Sequence, residues 1–257
     1  MITDDVAPLR HGVEPWFMGG FDFRCIWEAL GLDYLPFPLA YRNRQQYVAD
    51  VEADRMAALA RQRAELTENR VRILEALRFP AFIVQGFGRI EGGQLYRLFA
   101  VIGTTGYCPV ITQDPSAQPL FGEDVQIIGC VNDDFPQVVL EALPDYKPGT
   151  KPRRDALLED ETPADLFRDS TITASILLAG SADFTLDYEL RNANYLTLVN
   201  VADDGAYLVN EGVDAFQIIP ATVPNLLNAF ERVEERQSTA AERLSEARSD
   251  RDFNGVP

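Results

Sequence analysis

The chain repeats one order of predicted elements, a helix, four strands and a helix, and this repeat limits its possible folds more than any other feature. The first copy has strand-like runs at 81–89, 94–102, 107–113 and 123–129, and the second at 183–191, 195–201, 206–210 and 214–220. Each run is rich in β-branched or aromatic residues and is bounded by turn formers. The repeated order indicates an internal duplication of a helix–meander–helix unit.

Short matches between the two copies support this interpretation. Gln126-Ile127-Ile128 corresponds to Gln217-Ile218-Ile219, and both precede a closing helix. Phe82-Ile83-Val84 corresponds to Phe184-Thr185-Leu186. Such triplets also recur by chance in strand-rich sequence, so the shared order of elements is the stronger argument. Two such units predict either one continuous antiparallel sheet or two sheets placed edge to edge, with helices packed at the ends.

Helical sequence precedes the first group of strands. Apolar residues at helical spacing predict a first helix that ends before Gly31, and they are Phe21, Phe23, Ile26, Trp27 and Leu30. Residues 42–78 predict two amphipathic helices with a break near 65–67, where Thr67 is the N-cap. Between them, residues 34–39 contain two prolines and predict a short edge strand.

Three further helices are predicted. One spans 134–143 with Asn132 or Asp133 as its cap, one spans 163–179 behind the cap Thr162-Pro163, and one runs from 222 to 235 and on towards 248. Asp204-Gly205 predicts a hairpin turn. The predicted organisation is a flexible leader (1–18), an N-terminal subdomain (19–143), a linker or mobile loop (144–162), a C-terminal subdomain (163–235) and a charged, frayed tail (236–257).

Charge and composition exclude some partners. The formal net charge of −17 repels phosphate, so nucleic acid and anionic membrane surfaces are poor partners. Residues 1–10 contain no apolar signal region, and no stretch approaches the ~18 apolar residues of a membrane helix. The three cysteines contain no CxxC pair and are expected to be buried thiols in a reducing compartment. The expectation is a soluble cytoplasmic protein.

The sequence contains no recognisable catalytic set. His11 is the only histidine and lies in the leader, so a Ser–His or Cys–His nucleophile and a histidine-ligated metal have no support in the folded part. The acidic clusters 133–134, 159–161 and 203–204 occupy cap, linker and turn positions. Gly86 and Gly88 lack phosphate-binding spacing and predict a bulge or sheet bend. We therefore expect no catalytic activity, cofactor or metal. An enzyme with a carboxylate site between the lobes and a regulatory homodimer remain the alternatives.

Aromatic residues crowd the first forty positions. Most are expected in the core, but Trp16-Phe17-Met18 before Gly19-Gly20 could instead form an exposed contact surface.

The opening segment resembles a known family. The run Phe21-Asp22-Phe23-Arg24-Cys25-Ile26-Trp27-Glu28-Ala29-Leu30-Gly31-Leu32, followed by Leu35-Pro36-Phe37-Pro38-Leu39, is similar to the opening of the EspG proteins, the cytosolic chaperones of actinobacterial type VII (ESX) secretion. The ending, Gly205–Val209 and then Gln217–Thr222 before a closing helix, is similar to that family's last strands and C-terminal helix.

The resemblance implies an α+β, pseudo-twofold duplicated fold, with a central antiparallel β-sheet flanked by two helical bundles. It also implies binding to the hydrophobic tip of a PE–PPE heterodimer, as a monomer or homodimer when alone. The loop between the second and third strands takes part in such binding, with neighbouring sheet and C-terminal bundle surface. In this chain that loop matches Arg89 to Gln94 and has only Ile90, Glu91, Gly92 and Gly93 at its tip, which is shorter than in many family members. The charged tail after Arg232 is a second departure.

Overall fold

The computed structural model describes residues 14–43, 48–118 and 120–253. Its helices are α1 (Gly20–Ala29), α2 (Val48–Ala64), α3 (Glu68–Arg78), α4 (Phe135–Ala142), α5 (Pro163–Leu166) and α6 (Val223–Phe253). Its strands are β1 (Trp16–Met18), β2 (Pro80–Arg89), β3 (Leu95–Gly103), β4 (Tyr107–Pro115), β5 (Gly122–Val131), β6 (Arg154–Leu157), β7 (Ile172–Ser181), β8 (Asp183–Phe184), β9 (Leu190–Arg191), β10 (Asn194–Val201), β11 (Gly205–Glu211) and β12 (Ala215–Pro220). Short 3₁₀ turns lie at Glu91–Gly93 and Asn132–Asp134.

Ten strands form one antiparallel sheet in the order β1-β5-β4-β3-β2-β7-β10-β11-β12-β6. Counted from the centre of the sheet outward, the equivalent strands of the two halves are β2 and β7, β3 and β10, β4 and β11, β5 and β12, and β1 and β6. The predicted α+β, pseudo-twofold duplicated fold with a central antiparallel sheet is confirmed. Strands β8 and β9 form a separate two-stranded ribbon.

The two halves meet where β2 pairs with β7. Gly86 lies opposite Leu178, and the register stays regular on both sides of β2 through Gly88. The predicted bulge is therefore wrong. A Cβ atom on Gly88 would lie 2.0 Å from the Ser175 backbone oxygen, so glycine is required because the backbone of β7 approaches so closely.

Strand β7 lies in the segment for which the sequence predicted a helix over 163–179. The predicted start is correct, since Thr162 caps α5, but α5 ends at Leu166. From Ala174 to Leu178 the burial alternates, with Ala174, Ile176 and Leu178 buried, as in a strand with only one covered face. The predicted match of Phe82–Val84 with 184–186 is also wrong, because β7 is the equivalent of β2. The predicted match of Gln126–Ile128 with Gln217–Ile219 relates residues of β5 and β12, which are equivalent strands of the two halves.

Two other strand predictions fail because their segments turn back on themselves. Residues 183–191 form β8, a turn with Tyr188 at φ 62°, and β9. Residues 34–39 form no strand, since the Leu39 amide donates to the Pro36 oxygen and the Trp27 indole donates to the Tyr34 oxygen at 2.6 Å. The Phe37–Pro38 peptide bond is cis.

The helix predictions elsewhere hold in the described part of the chain. α1 ends before Gly31, which has φ 82°. α2 and α3 are separated at the predicted break, and the Arg70 amide donates to Thr67 Oγ1. α4 is present, but its N-cap is Asp134 rather than Asn132 or Asp133.

The helices form two groups on opposite faces of the sheet. α4 and α6 cover one face, where Val138 and Val233 pack with strand residues such as Leu178. α1 and α3 cover the N-terminal half of the other face, around Trp27, and α2 packs on α1. The C-terminal half of that face carries only the short α5 and its neighbours, around Phe167.

The predicted leader, linker and tail all contribute ordered elements. Residues 16–18 form β1 at one edge of the sheet, and 154–157 form β6 at the other. α6 continues through the start of the predicted tail, and Gln237 is buried against the body. His11 lies outside the described residues. The subdomain bounds 19–143 and 163–235 stay a prediction.

Candidate functional site

The predicted contact residues lie in the loop that connects β2 to β3. The Ile90 amide donates to the Gln94 oxygen and the Gly93 amide donates to the Ile90 oxygen, both at 2.9 Å. Gly92 and Gly93 have φ values of 78° and 77°, a conformation that favours glycine. The sequence thus closes this loop as a short, hydrogen-bonded turn.

The side chains of the loop divide between core and solvent. Ile90 is half-buried and packs on the core beneath α4 and α6. Glu91, Gly92 and Gly93 are exposed. Burial, and then the Glu91 carboxylate, raise the pKa of the Tyr146 phenol, so Glu91 lies close to the chain that leaves α4. The loop therefore offers a partner its backbone and one carboxylate.

Beside this loop, the centre of the sheet is uncovered on the face that carries α1–α3 and α5. Strand pairing places Phe87 of β2 opposite Leu177 of β7. It places Tyr195 of β10 opposite Ala179, which is two residues further along β7. Tyr34 and Phe37, from the turn after α1, line the same groove. We call the set Tyr34, Phe37, Phe87, Leu177 and Tyr195 the central patch.

The central patch is apolar and accessible. Four of its members are 44–72% exposed, namely Leu177, Tyr195, Phe37 and Tyr34. The ring of Phe37 lies 5.2 Å from that of Phe87, and the Arg97 guanidinium lies 6.0 Å from the Phe87 ring centroid. Clustered aromatic residues of this kind are typical of protein–protein contact sites.

The groove along the central patch has a volume of about 650 Å³ and a rigid wall. Gln85 donates its side-chain amide to the Tyr188 backbone oxygen at 2.9 Å. The Tyr188 hydroxyl donates to the Leu77 oxygen at 2.7 Å, and burial raises the pKa of Tyr188 to about 12. Asp187 and Glu189 add carboxylates to the lining. Since Tyr188 is tied to both β2 and α3, the wall is held from two sides.

The described residues contain no arrangement typical of catalysis. Their buried polar and charged side chains are glutamines, one serine and Arg97, with no aspartate or glutamate among them. In the same residues, no group of three or more His, Cys, Asp or Glu side chains is placed to hold a metal ion. Burial and Asp124 raise the pKa of Asp114, but this pair lies at the surface. The site offers apolar contact area.

A separate finding concerns membrane insertion. No helix in the described ranges is both long and apolar enough to span a lipid bilayer.

Sequence reasoning identified the loop but not the central patch. Leu177 lies in the segment with the predicted helix, and Phe87 lies between Gly86 and Gly88, for which only a backbone role is predicted. Of the predicted alternative contact residues at 16–18, Trp16 and Met18 are buried and Phe17 is exposed. Phe17 lies at the β1 edge, four strands from β2.

The sequence profile of the EspG family matches residues 22–253. The fold is similar to the Mycobacterium tuberculosis type VII secretion system chaperone EspG5, solved in complex with a PE25–PPE41 dimer, with a TM-score of 0.56 and 12% identity over 86% of this chain and 96% of that one. No curated protein matches the sequence. Because the profile covers nearly the whole described chain, the protein belongs to the EspG family.

Proposed function

We propose that this protein is a type VII secretion chaperone that binds the hydrophobic tip of a PE–PPE heterodimer, keeps it soluble and marks it for export. The observation that carries the proposal is family membership across residues 22–253, together with a fold similar to a chaperone solved with a PE–PPE dimer. The client is a PE–PPE pair of the host's own secretion system.

The central patch supplies the contact that such a client needs. Burial of the hydrophobic tip lowers the free energy of the system by about 25 cal/mol for each Å² of apolar surface removed from water. Leu177 and Tyr195 are half-exposed on a rigid strand surface, so they lose little side-chain entropy when covered. Phe37 and Phe87 add aromatic surface beside them.

The β2–β3 loop lies beyond Phe87 at the end of β2 and extends this contact. We place Ile90, Glu91, Gly92 and Gly93 at the margin of the client interface. The exposed backbone of Gly92 and Gly93 can be approached closely, since a Cβ atom added to either glycine would meet no other atom within 4 Å. Ile90 packs on the core and so anchors the loop, and the exposed Glu91 adds a negative charge to the loop surface.

The protein acts by binding in the cytoplasm and not by catalysis. An acidic pair buried in a cleft would favour an enzyme, and the carboxylates of the central groove, Asp187 and Glu189, lie at turn positions in the β8–β9 connection instead. The net charge of −17 keeps the chaperone, and a client bound to it, dispersed.

Expression of a neighbouring PE–PPE pair with and without this protein tests the function. We expect the soluble fraction of the pair, measured after high-speed centrifugation, to rise several-fold when the chaperone is present. An unchanged soluble fraction for every pair encoded beside the gene would count against the proposal.

A further inference from the structure

An apolar cleft lies among α1, α2 and α3, and it shares no lining residue with the groove along the central patch. Its volume is about 310 Å³, at the lower end of the range for small-molecule sites. The cleft exists because α2 packs on α1 but not closely against α3. Its apolar lining includes Ile26 and Leu30 of α1, Met56 and Leu59 of α2, Leu66 of the following turn and Leu74 of α3.

The lining of this helical cleft runs from the core to the surface without a break in apolar character. Ile26 is only 6% exposed and lines the buried side, whereas Met56 and Leu66 are 59% and 41% exposed. Water therefore contacts large apolar side chains on two walls of the same cleft. A ligand that covers both walls removes this contact, which is the main source of affinity in small apolar sites.

The wall formed by α2 is held in place by one carboxylate of α1. Asp22 accepts a hydrogen bond from Arg61 at 2.8 Å and another from the Gln62 side-chain amide at 3.0 Å. Gln62 is 7% exposed and lies beside the cleft. Because these bonds fix α2 on α1 without a ligand, the cleft is preformed and binding requires little further ordering.

One guanidinium group at the cleft remains available to an anion. Arg63 lines the cleft and is exposed, and it forms no ion pair or side-chain hydrogen bond with another described residue. The arginines near it in sequence are paired, Arg61 with Asp22 and Arg70 with Glu65. No aspartate or glutamate is among the residues that line the cleft. An unpaired cation beside an apolar cleft is complementary to an amphiphile with an apolar chain and an anionic head.

We propose that the helical cleft binds a medium-chain alkyl carboxylate. The alkyl chain lies between the walls formed by Leu30, Met56 and Leu66, and the carboxylate pairs with Arg63. A helix of a partner protein is less suited to this site, because one helical turn with its side chains, about 10 Å wide and 5.4 Å long, already exceeds the volume of the cleft.

The test is isothermal titration calorimetry of the full chain with hexanoate, octanoate and decanoate, each below its micelle concentration. We expect affinity to rise about two- to fourfold for each added methylene until the chain fills the cleft. Octanol, which has the same chain length as octanoate and no charge, should bind several-fold more weakly than octanoate, and added salt should weaken only octanoate binding. No saturable binding, or an affinity that does not depend on chain length, would overturn the proposal.

Protein variants localise the site. Arg63→Gln should lower the affinity for octanoate to that for octanol and leave octanol binding unchanged. Ala60→Phe places a ring in the cleft and should abolish binding of both ligands, whereas Ala57→Phe, the same change at an exposed position of α2 outside the lining, should bind as the wild type does. Leu177→Glu, in the central patch, should also bind octanoate normally, because this site is independent of client binding. Unchanged binding by Ala60→Phe, or unchanged octanoate affinity in Arg63→Gln, would contradict the assignment.

Discussion

The ring of Phe37 lies 5.2 Å from the ring of Phe87, which joins the turn after α1 to the central strand β2. Phe37 belongs to the segment that resembles the EspG opening, and Phe87 lies two residues before the end of β2. The contact brings the family-like N-terminal segment to the uncovered centre of the sheet. It holds Phe37, an exposed aromatic residue in a turn without regular structure, against the sheet.

Substitution of Leu177 by glutamate should weaken client binding without unfolding the protein. The side chain is partly exposed at the middle of the central patch, and a charge there would have to be desolvated when the client covers it. We expect a loss of at least about tenfold in affinity by calorimetry, in line with other interface centres. Val213→Glu, on an exposed turn outside the patch, is the control; similar losses for both variants would argue against the central patch.

Substitution of Tyr188 by phenylalanine should lower the free energy of unfolding by about 1–3 kcal/mol. The hydroxyl is buried and donates to the Leu77 oxygen, so its removal leaves that carbonyl without its partner. Urea denaturation of this variant, beside Tyr34→Phe at an exposed position, measures the difference. Equal stability of the two variants would show that the Tyr188 hydrogen bond does not hold the groove wall.

The same tyrosine predicts a dependence of stability on alkaline pH. Its folded-state pKa is raised to about 12, above the ordinary value of 10, so the unfolded chain loses this proton at lower pH than the folded chain does. The stabilisation is complete below pH 10 and is lost as pH rises through 12. We expect the melting temperature to fall more steeply between pH 10 and 12 in the wild type than in Tyr188→Phe; parallel slopes would contradict this.

Replacement of Gly92 and Gly93 by alanine should destabilise the β2–β3 loop through its backbone alone. Both residues have positive φ and open space around them, so the cost is conformational and about 1 kcal/mol or more for each. Hydrogen exchange of the Ile90 and Gly93 amides should become faster. Glu91→Ala leaves those two glycines in place and should keep both amides protected, which separates loop geometry from the Glu91 side chain.

Gln237 should anchor α6 to the body of the protein. Its side chain accepts from the Ala182 amide at 3.2 Å and donates to the Asn192 oxygen at 2.9 Å, although it lies in the segment predicted as a frayed tail. Gln237→Ala should lower the free energy of unfolding by about 1–3 kcal/mol, because two part-buried backbone groups lose a hydrogen bond that contributes about 0.5–1.5 kcal/mol each. Arg236→Ala, at the neighbouring exposed position, is the control. Equal free energies of unfolding for the two variants would show that Gln237 does not anchor α6.

Local patterns in the sequence were enough to predict most of the sheet, and long-range contacts account for what was missed. Alternation and turn residues predicted β10, β11 and β12, and Thr67 marked the start of α3. Residues 172–179 contain isoleucine, leucine and alanine, which suit a helix and a buried strand alike. These residues form a strand because β7 pairs with β2 and β10, and the local sequence does not indicate that long-range pairing.

The site shows the same division. The turn at Ile90–Gly93 could be predicted because Gly92-Gly93 lies between two strand patterns, while its role in client binding was implied only by the family resemblance. The central patch could not, because it combines residues from the turn after α1, from β2, from β7 and from β10. Tyr188 and Gln85 are 103 positions apart in sequence yet share a hydrogen bond. Such contacts follow from the topology of the whole sheet.

The most direct test of the proposed function is co-expression of this protein with each PE–PPE pair encoded beside its gene, with an affinity tag on the PE chain only. Size-exclusion chromatography after affinity purification then shows which chains elute together. We predict that at least one pair carries this protein through both steps as a three-chain complex, and that Leu177→Glu lowers its recovery. Elution of every PE–PPE pair without this protein would contradict the account.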